Sequence, residues 1–257
     1  SPNPMRRKLN ANTSLRSLQP KVLYRVAMEG NIGAGKSSLV ARLDLTWLPS
    51  APLKRVVQEP VELWEKSGFL ERMYNGDLDV AQFQVYALAT RTQALIKAID
   101  SLGQDAAKQE ALGEQVPAAL VLVERDMEGD CCLFARHYLS AQQLVDYQKI
   151  HAVHCELVRS ALARWNFKAE DHVIAVRVSP EIAAMRVTKR DRLAEKNLSL
   201  KTLIQLDKLH AEYFSATTSP VWEINANNTP DAMYAGAVDI LKNITRSNDD
   251  AAQLGSA

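Results

Sequence analysis

The stretch EGNIGAGKSS, residues 29–38, decides the fold of this chain. From Gly30 to Ser37 it matches the pattern G-x-x-x-x-G-K-[ST] at every fixed position. The apolar, β-prone run LYRVAME precedes it at residues 23–29, and a helical pattern follows it. A strand, a glycine-rich loop and a helix in this order predict a phosphate-binding loop.

The chemistry of such a loop predicts a bound Mg-nucleoside triphosphate. Glycines let backbone N–H groups converge on phosphate oxygens, and the helix that follows adds its positive end. Lys36 is placed to reach the β- and γ-phosphates, and the hydroxyl of Ser37 is placed to hold Mg²⁺. The residues predicted to contact the nucleotide are Gly30, Asn31, Ile32, Gly33, Ala34, Gly35, Lys36, Ser37 and Ser38.

Apolar runs recur along the chain, and helical patterns fill the intervals between them. AALVLVE at 118–124 and HVIAVRV at 172–178 are near-continuous apolar runs, as expected of strands buried on both faces. Strands that alternate with helices predict an α/β fold in which helices flank a parallel sheet on both faces. The other predicted strands are KRVVQ at 54–58 and VWEIN after residue 220, and the predicted helices cover 61–73, 79–100, 129–164, 180–190, 199–215 and 230–243. A polar surface connection, with a partly helical form as the alternative, is predicted at 103–117.

Bulk composition limits the partners and the compartment. The 257 residues carry a formal net charge of +1, so no strong overall field would recruit nucleic acid or a membrane surface. No apolar run approaches the roughly 20 residues of a membrane span. Three cysteines, two of them adjacent, argue against a disulfide framework and for a reducing, cytoplasmic setting.

Both ends of the chain differ in composition from the middle. Residues 1–21 are basic, rich in serine and free of acidic residues, which is typical both of a mitochondrial transit peptide and of a disordered tail. Ser1–Pro4, ahead of a possible starting Met5, also have the character of residues left from cloning. We predict a basic disordered tail at 1–21, a folded domain at 22–245 and a second disordered tail at 246–257.

Two short motifs favour a GTPase-type switch as an alternative. Asp126-Met127-Glu128-Gly129 matches the D-x-x-G of such switches, and Thr188-Lys189-Arg190-Asp191 matches a variant of their guanine-reading motif. The guanine motif should close a strand, whereas this stretch lies inside an arginine-rich helical pattern. The placement therefore argues against the switch.

Four motifs together resemble the successive signatures of the deoxynucleoside kinase family, which includes deoxycytidine and deoxyguanosine kinases. They are EGNIGAGKS, QEPVELW, VERD and RVTKRDRLAE, and the resemblance runs from about residue 23 to residue 245. It implies a P-loop kinase fold with a helical, arginine-rich lid, and transfer of the γ-phosphoryl group of ATP to the 5′-hydroxyl of a deoxynucleoside in nucleotide salvage. It also implies Mg²⁺ and a homodimer formed through helices, for which the apolar faces in 79–100 and 141–164 are candidates.

The resemblance assigns roles around the reacting groups. Glu59 follows a predicted strand near the phosphate loop, where a carboxylate can accept a proton from an attacking hydroxyl, and by similarity it is the general base. Arg125 ends a buried strand together with Glu124, which is where ligands of such sheets bind. By similarity Arg125 holds the reacting 5′ region, Glu124 helps to place Mg²⁺ beside Ser37, and Lys36 completes the catalytic set.

The acceptor pocket and the lid are assigned in the same way. In MYNGDLDVAQFQVYALATR, Tyr74 matches the residue that touches the sugar 3′-hydroxyl, and Gln84 and Arg91 lie seven residues apart on one helical face. Arginines cluster where a transferring phosphoryl group must be stabilised. The predicted lid arginines are Arg186, Arg190 and Arg192, and the predicted substrate contacts are Glu59, Trp64, Tyr74, Phe83, Gln84, Arg91, Arg125, Asp130, Phe134 and Glu195.

Asp130 suggests the base preference. An ionised carboxylate only accepts hydrogen bonds, so it suits the exocyclic amino group of cytosine or a purine, whereas thymine presents a carbonyl there. We therefore expect deoxycytidine, deoxyadenosine or deoxyguanosine to be preferred over thymidine. A broad-specificity kinase or a nucleoside-monophosphate kinase of similar fold is the alternative.

The chain departs from the family pattern at Asp126, where family members usually have serine. An added carboxylate there would join the metal shell or repel phosphate. A member that binds nucleoside but turns over slowly is therefore a further alternative.

Overall fold

The computed structural model describes residues 20–43, 51, 53–116, 118–192, 195 and 198–254. The tail predicted at 1–21 therefore lies outside the described residues except for its last two. No helix in this described part of the chain is long and apolar enough to cross a membrane.

A parallel sheet of five strands forms the centre of the molecule. Its strand order is β2-β3-β1-β4-β5, and all four neighbouring pairs are parallel. Parallel neighbours need crossover connections, and helices supply them. The strands are β1 (Lys21–Glu29), β2 (Leu53–Val57), β3 (Ala118–Glu124), β4 (Phe167–Arg177) and β5 (Val221–Asn225).

Helices cover both faces of this sheet. The N-terminal half of the chain contributes α1 (Lys36–Arg42), α2 (Val61–Lys66), α3 (Phe69–Asn75) and α4 (Val80–Ala111). After β3 come a short turn α5 (Met127–Gly129), a π-helix (Asp130–Ala135) and a second short turn α6 (Arg136–Tyr138). The remaining helices are α7 (Ala141–Arg164), α8 (Pro180–Arg190), α9 (Leu200–Ala216) and α10 (Pro230–Leu254).

Alternation along β1 divides the hydrophobic core into two layers. Tyr24, Val26 and Met28 face one layer, which includes residues of α1, α9 and α10. Leu23 and Ala27 face the other layer, which includes residues of α4 and α7. All seven residues of β3 are buried, as its continuous apolar sequence predicts. The predicted α/β class with helices on both faces is confirmed.

The long helix α4 shows that the polar stretch at 103–117 is helical in its first nine residues, which agrees with the partly helical alternative. The helix continues to Ala111, well past the predicted end at residue 100. Gly103 does not end it, because this glycine lies against Trp165, where an added Cβ would be only 2.1 Å from the indole ring. The glycine serves close packing between α4 and the end of α7.

Two other boundaries differ from the sequence patterns, whereas the end of α8 agrees with its predicted range of 180–190. The helix predicted at 61–73 is two helices, since Gly68 adopts a left-handed φ of 70° between them. The arginine-rich helix α8 ends at Arg190, where Asp191 takes a left-handed φ of 48°. The backbone of α10 is helical to Leu254, so the disordered tail predicted from residue 246 begins inside a helix.

Candidate active site

Side chains from both halves of the chain surround a cavity of about 130 Å³ at the carboxyl ends of β1 and β3. This is the edge at which parallel sheets of this type bind ligands. All ten residues predicted to contact the acceptor line it: Glu59, Trp64, Tyr74, Phe83, Gln84, Arg91, Arg125, Asp130, Phe134 and Glu195. The phosphate-loop residues that line it are Ile32, Gly33, Gly35, Lys36, Ser37 and Ser38.

The phosphate loop has the backbone that its glycines predict. Gly33 and Gly35 have φ values of 80° and 93°, which side chains with a Cβ rarely adopt. At Gly33 an added Cβ would also lie 2.6 Å from the carbonyl oxygen of Ala183 in α8. The loop is therefore packed directly against the lid helix.

Gly30, Asn31 and Ala34 lie outside the wall of the cavity. Asn31 donates from its side-chain amide to the carbonyl oxygen of Leu203 at 2.8 Å, and its side-chain oxygen accepts the Ile32 N–H at 2.9 Å. Ala34 is fully buried in the core. The side chains of Asn31 and Ala34 therefore support the loop and do not face the cavity.

Lys36 is buried and points into the phosphate loop. Its ammonium group donates to the carbonyl oxygens of Gly30 and Asn31 at 2.7 and 3.0 Å. Burial, together with the nearby charge of Arg125, lowers the pKa of Lys36 to about 8. Phosphate oxygens at this loop would supply the negative charge that favours the protonated amine.

Ser37 and Glu124 meet at the base of the cavity. The hydroxyl of Ser37 donates to Oε1 of Glu124, while Oε2 accepts the backbone N–H of Glu59 at 3.4 Å. A hydroxyl and a carboxylate are hard oxygen donors of the kind that Mg²⁺ takes alongside phosphate oxygens and water. The residues present therefore fit the predicted metal.

Glu59 lies between two guanidinium groups. Its Oε1 accepts hydrogen bonds from Arg91 and, at 3.2 Å, from Nε of Arg125. Burial alone would raise the pKa of Glu59, but these two positive charges hold it at about 2, below its ordinary 4.5. The carboxylate is therefore ionised at neutral pH, as a proton acceptor must be.

Arg91 extends this network to Asp130 and Tyr147. One Asp130 oxygen accepts from Arg91 and the other from the Tyr147 hydroxyl, and all three residues are buried. The sequence assigned both Arg91 and Asp130 to the pocket but did not predict the contact of Arg91 with Glu59 or the contribution of Tyr147 from α7. A side-chain partner from so distant a helix leaves no local signal in the sequence.

Gln84 presents an unpartnered polar atom to the same cavity. The side chain is 2% exposed, and its oxygen is buried without a hydrogen-bond partner among the described residues. Buried acceptors are nearly always paired in folded proteins. This one faces the space that a ligand would fill.

Aromatic side chains form the walls of this space. The Trp64 indole N–H donates to the Thr90 hydroxyl at 2.9 Å, and its ring lies edge-on to Phe83 with centroids 5.5 Å apart. Phe134 stacks under the guanidinium of Arg125, 4.1 Å from ring centroid to Cζ. Burial and the neighbouring Tyr138 raise the pKa of Tyr74, so its hydroxyl stays protonated.

The predicted lid arginines occupy different positions. Arg186 donates to the carbonyl oxygens of Ala34 and Ala226 at 3.4 and 2.7 Å, and it does not line the cavity. Arg190 and Arg192 do line it, and both pair with Glu195. Arg192 follows the left-handed turn after α8, so it is not on the helical segment to which the sequence assigned it.

A second cavity of about 420 Å³ adjoins the first across the phosphate loop. Gly33, Gly35, Ser38 and Arg190 line both cavities. The rest of its wall is mostly apolar or basic and comes from Leu39, Arg42, Arg186, Lys189, Pro230 and Met233.

Asp126 does not line the first cavity. Its carboxylate caps the short helix α5 by accepting the N–H of Gly129 at 2.6 Å. The proposed effect of this residue on a metal shell therefore has no support in the geometry. The D-x-x-G match has a local structural cause, because the aspartate and the glycine close one helical turn.

Four residues of the cavity wall escaped the sequence reasoning: Val61, Leu70, Met73 and Tyr138. Three are ordinary apolar positions of amphipathic helices, so their pattern predicts burial and gives no indication of a ligand. Tyr138 ends the helical segment that begins at Met127, and its neighbour Phe134 was the available signal.

Comparison with known proteins adds independent evidence. Residues 26–246 match the family model described as deoxynucleoside kinase. The chain is 27% identical over 213 residues to a fowlpox virus protein described as a probable deoxycytidine kinase, covering 79% of each chain. It is 25% identical over 230 residues to deoxycytidine kinase 2 of Gallus gallus, covering 82% of this chain and 81% of that one.

A solved structure shares the fold. The deoxyadenosine kinase from M. mycoides with products dCMP and a flexible dCDP bound superposes with a TM-score of 0.56 at 21% identity, covering 86% of this chain and 99% of that one. The family match takes in every residue that lines either cavity. With a match of that extent and a sheet of the P-loop kinase type, the chain belongs to the deoxynucleoside kinase family.

Proposed function

We propose that this deoxynucleoside kinase transfers the γ-phosphoryl group of ATP to the 5′-hydroxyl of a deoxynucleoside with an amino-bearing base. The observation that carries the proposal is the pair of adjoining cavities, which share the phosphate loop as a wall. The apolar and basic cavity suits the donor nucleotide. The cavity with carboxylates, aromatic rings and a free amide oxygen suits a nucleoside.

The residues of the first cavity have distinct roles in this transfer. Glu59 accepts the proton of the 5′-hydroxyl. Arg125, whose Nε lies 3.2 Å from Oε1 of Glu59, holds the 5′ region of the nucleoside. Lys36 offsets charge on the β- and γ-phosphates, and Arg190 and Arg192 stabilise the transferring group. Mg²⁺, held by Ser37 and Glu124 when bound, would neutralise phosphate charge.

The base preference rests on Gln84 and Asp130. The unpartnered Gln84 oxygen and the Asp130 side-chain oxygens are hydrogen-bond acceptors, so both favour an exocyclic amino group. Thymine would place a carbonyl oxygen against these acceptors. An unpaired buried acceptor costs about 1–3 kcal/mol, which corresponds to roughly 5- to 150-fold in discrimination.

The sugar contacts complete the acceptor pocket. Tyr74 and Glu195 both line the cavity, on the side where the lid approaches α3. A phenol and a carboxylate can donate to and accept from the same 3′-hydroxyl. We assign them to that group, with Trp64, Phe83 and Phe134 flanking the base.

We also propose that two chains pair through α7. Ile150, Val153 and Leu157 lie on one face of this helix, and they are 37%, 60% and 48% exposed. A second copy of the chain would cover this stripe. We expect the enzyme to act in nucleotide salvage in the cytoplasm, with the mitochondrial matrix as the alternative.

The first experiment measures steady-state phosphorylation of deoxycytidine, deoxyadenosine, deoxyguanosine and thymidine with Mg-ATP. A control without acceptor measures hydrolysis alone, and deoxycytidine monophosphate tests the monophosphate-kinase alternative. We expect turnover on amino-bearing bases and little on thymidine. Turnover led by thymidine would overturn the base preference, and phosphorylation of the monophosphate alone would overturn the acceptor.

A matched variant tests the general base. Glu59→Gln should lower kcat about 100-fold or more, because general-base catalysis contributes about 10²–10⁴. The exposed Glu110→Gln serves as a control, since Glu110 pairs with Lys21 at the surface. An unchanged kcat in Glu59→Gln would remove Glu59 from the mechanism.

A further inference from the structure

Glu29 is a fully buried carboxylate at the end of β1, directly before the phosphate loop. Within the described part of the chain, its carboxyl group forms no hydrogen bond or ion pair with the neighbouring Lys36. Instead its Oε2 accepts from Nη1 of Arg125 at 3.2 Å, and its Oε1 accepts the backbone N–H of Asp126 at 2.8 Å. One carboxylate thus holds both the head group of Arg125 and the peptide that follows it.

The backbone of Arg125 needs such support. Its φ is 62°, in the left-handed region that residues with a Cβ rarely adopt. Strained conformations of this kind persist only where the surroundings fix them. The N–H of Arg125 donates to the carbonyl oxygen of Met28 at 3.2 Å, and the bond from Asp126 to Glu29 fixes the other side of the turn.

The head group of Arg125 has two carboxylate partners, Glu29 and Glu59, and only Glu59 takes part in the proposed proton transfer. Its Nε donates to Glu59, which must take up a proton during transfer, and Nη2 donates to the carbonyl oxygen of Gly30 at 3.3 Å. Glu29 is the remaining carboxylate, and the guanidinium is buried between it and the ring of Phe134. Glu29 can therefore hold the guanidinium in place while Glu59 changes protonation.

The position of Glu29 is itself fixed by close packing. A Cβ added at Gly129 would lie 2.4 Å from Oε1 and 2.6 Å from Cδ of Glu29. Gly129 has ordinary helical backbone angles, so no turn requires a glycine there. The position requires a glycine because a side chain would collide with Glu29. The amino acid at position 129 leaves the space that the carboxylate fills.

We propose that Glu29 is a positioning residue for phosphoryl transfer, which holds the Arg125 guanidinium in register with Glu59. The inference rests on the proposed function, in which Arg125 holds the reacting 5′ region. Misplacement of such a group by about 1 Å can cost about 100-fold in rate. The effect should fall on kcat, since Arg125 lies beside the reacting atoms and away from the base pocket.

Glu29→Gln separates the two bonds of this carboxylate. The amide oxygen can still accept the Asp126 N–H, but the amide nitrogen would face another donor on Arg125. We expect kcat to fall about 10- to 100-fold, with KM for the nucleoside changed less than about threefold. The exposed Glu110→Gln makes the same chemical change and should leave both constants unchanged.

A double-mutant cycle with Arg125→Lys distinguishes positioning from general loss of stability. If Glu29 acts through Arg125, Glu29→Gln will lower kcat in the wild type and will have little further effect beside Arg125→Lys. Multiplication of the two losses would overturn the proposal. Gly129→Ala displaces the Glu29 side chain without changing its chemical groups, so it should give the same result, and it replaces Glu29→Gln if that variant fails to fold.

A measurement without substrate keeps this inference separate from the proposed function. In the ¹⁵N spectrum of the protein, the Nε–H of Arg125 is identified by its absence in Arg125→Lys. We expect Glu29→Gln to shift this signal and to speed its exchange with water. An unchanged signal would overturn the proposal, whereas wild-type protein without kinase activity but with a shifted signal would overturn only the assigned function.

Discussion

At the scale of the single residue, the ionisation of Glu59 makes the free energy of unfolding depend on pH. The two guanidinium groups hold its pKa at about 2, below the ordinary 4.5, so folding favours the ionised form. The resulting stabilisation is fully present above about pH 4.5 and is lost as the pH falls towards 2.

Urea unfolding of the wild type and of Glu59→Gln between pH 3 and pH 6 measures this contribution. The difference in free energy of unfolding should be largest above pH 5, at up to about 3 kcal/mol, and should shrink at pH 3. The exposed Glu62→Gln should give no such pH dependence. A difference between Glu59→Gln and wild type that does not vary with pH would contradict the depressed pKa.

Asp130 and Arg91 carry the second prediction at this scale. Asp130→Ala combined with Arg91→Met removes the ion pair that we assign to the base pocket and leaves an apolar wall. We expect the ratio of kcat/KM for thymidine to that for deoxycytidine to rise roughly 5- to 150-fold, since relief of a buried unpaired acceptor is worth about 1–3 kcal/mol. The ratio is the proper measure, because Arg91 also holds Glu59 and its loss should lower both rates.

Tyr147→Phe is the control for this double variant. This variant removes only the hydroxyl that donates a hydrogen bond to Asp130, and it keeps both the Asp130 side chain and its partner Arg91. The preference for deoxycytidine should persist there. If thymidine use does not rise in Asp130→Ala with Arg91→Met, the pocket reads the base by other contacts.

Chemistry-bearing residues of the site could be predicted where a motif contained them. Glu59, Lys36 and Arg125 each stand at the carboxyl end of a strand or in the loop after it, and the strand pattern placed them together. Glu29 also ends a strand, but the sequence assigned no separate role to it, because the whole stretch EGNIGAGKSS is interpreted as a phosphate-binding loop. Only the fold shows that its carboxylate turns towards β3.

At the scale of the element, the lid carries a contact that the sequence did not predict. Nε of Arg192 pairs with Glu65 of α2 at 2.9 Å, and Nη1 pairs with Glu195 at 3.1 Å. The pair with Glu65 links the segment after α8 to α2. Since Arg192 is also assigned to the transferring phosphate, donor binding must compete with this pair.

Glu65→Gln should therefore lower KM for ATP. Both side chains are about a third exposed, and such pairs are worth about 0–1 kcal/mol, so the expected decrease is two- to fivefold. Glu62→Gln on the same helix removes the exposed pair with Lys66 and should leave KM unchanged. An equal or higher KM in Glu65→Gln would show that the pair does not oppose donor binding.

Helices and strands with a regular hydrophobic period could be predicted closely from the sequence, and α8 matches its predicted bounds of 180–190. Boundaries that depend on tertiary contacts could not be predicted in this way. Helix α4 passes through Gly103 because Trp165 fills the space beside it, and no local pattern contains that information. The π-helix at Asp130–Ala135 is likewise invisible in the sequence, although it brings Asp130 and Phe134 to the same cavity.

At the scale of the whole molecule, the exposed face of α7 lies away from both cavities. Val153 and Leu157 are about half exposed on a helix whose opposite face packs against α4. Neither residue lines either cavity. A substitution on this face therefore separates assembly from chemistry.

Val153→Asp places a charge in the middle of this apolar stripe. A charge buried without a partner in an interface costs several kcal/mol, so we expect dimers in the wild type and single chains in the variant. Sedimentation equilibrium at several concentrations measures the mass, and kcat should change little because Val153 lines neither cavity. Leu112→Asp, 78% exposed in the turn after α4, is the control and should remain dimeric. A wild type that stays monomeric at all concentrations, or a Val153→Asp variant that stays dimeric, would exclude α7 as the contact between copies.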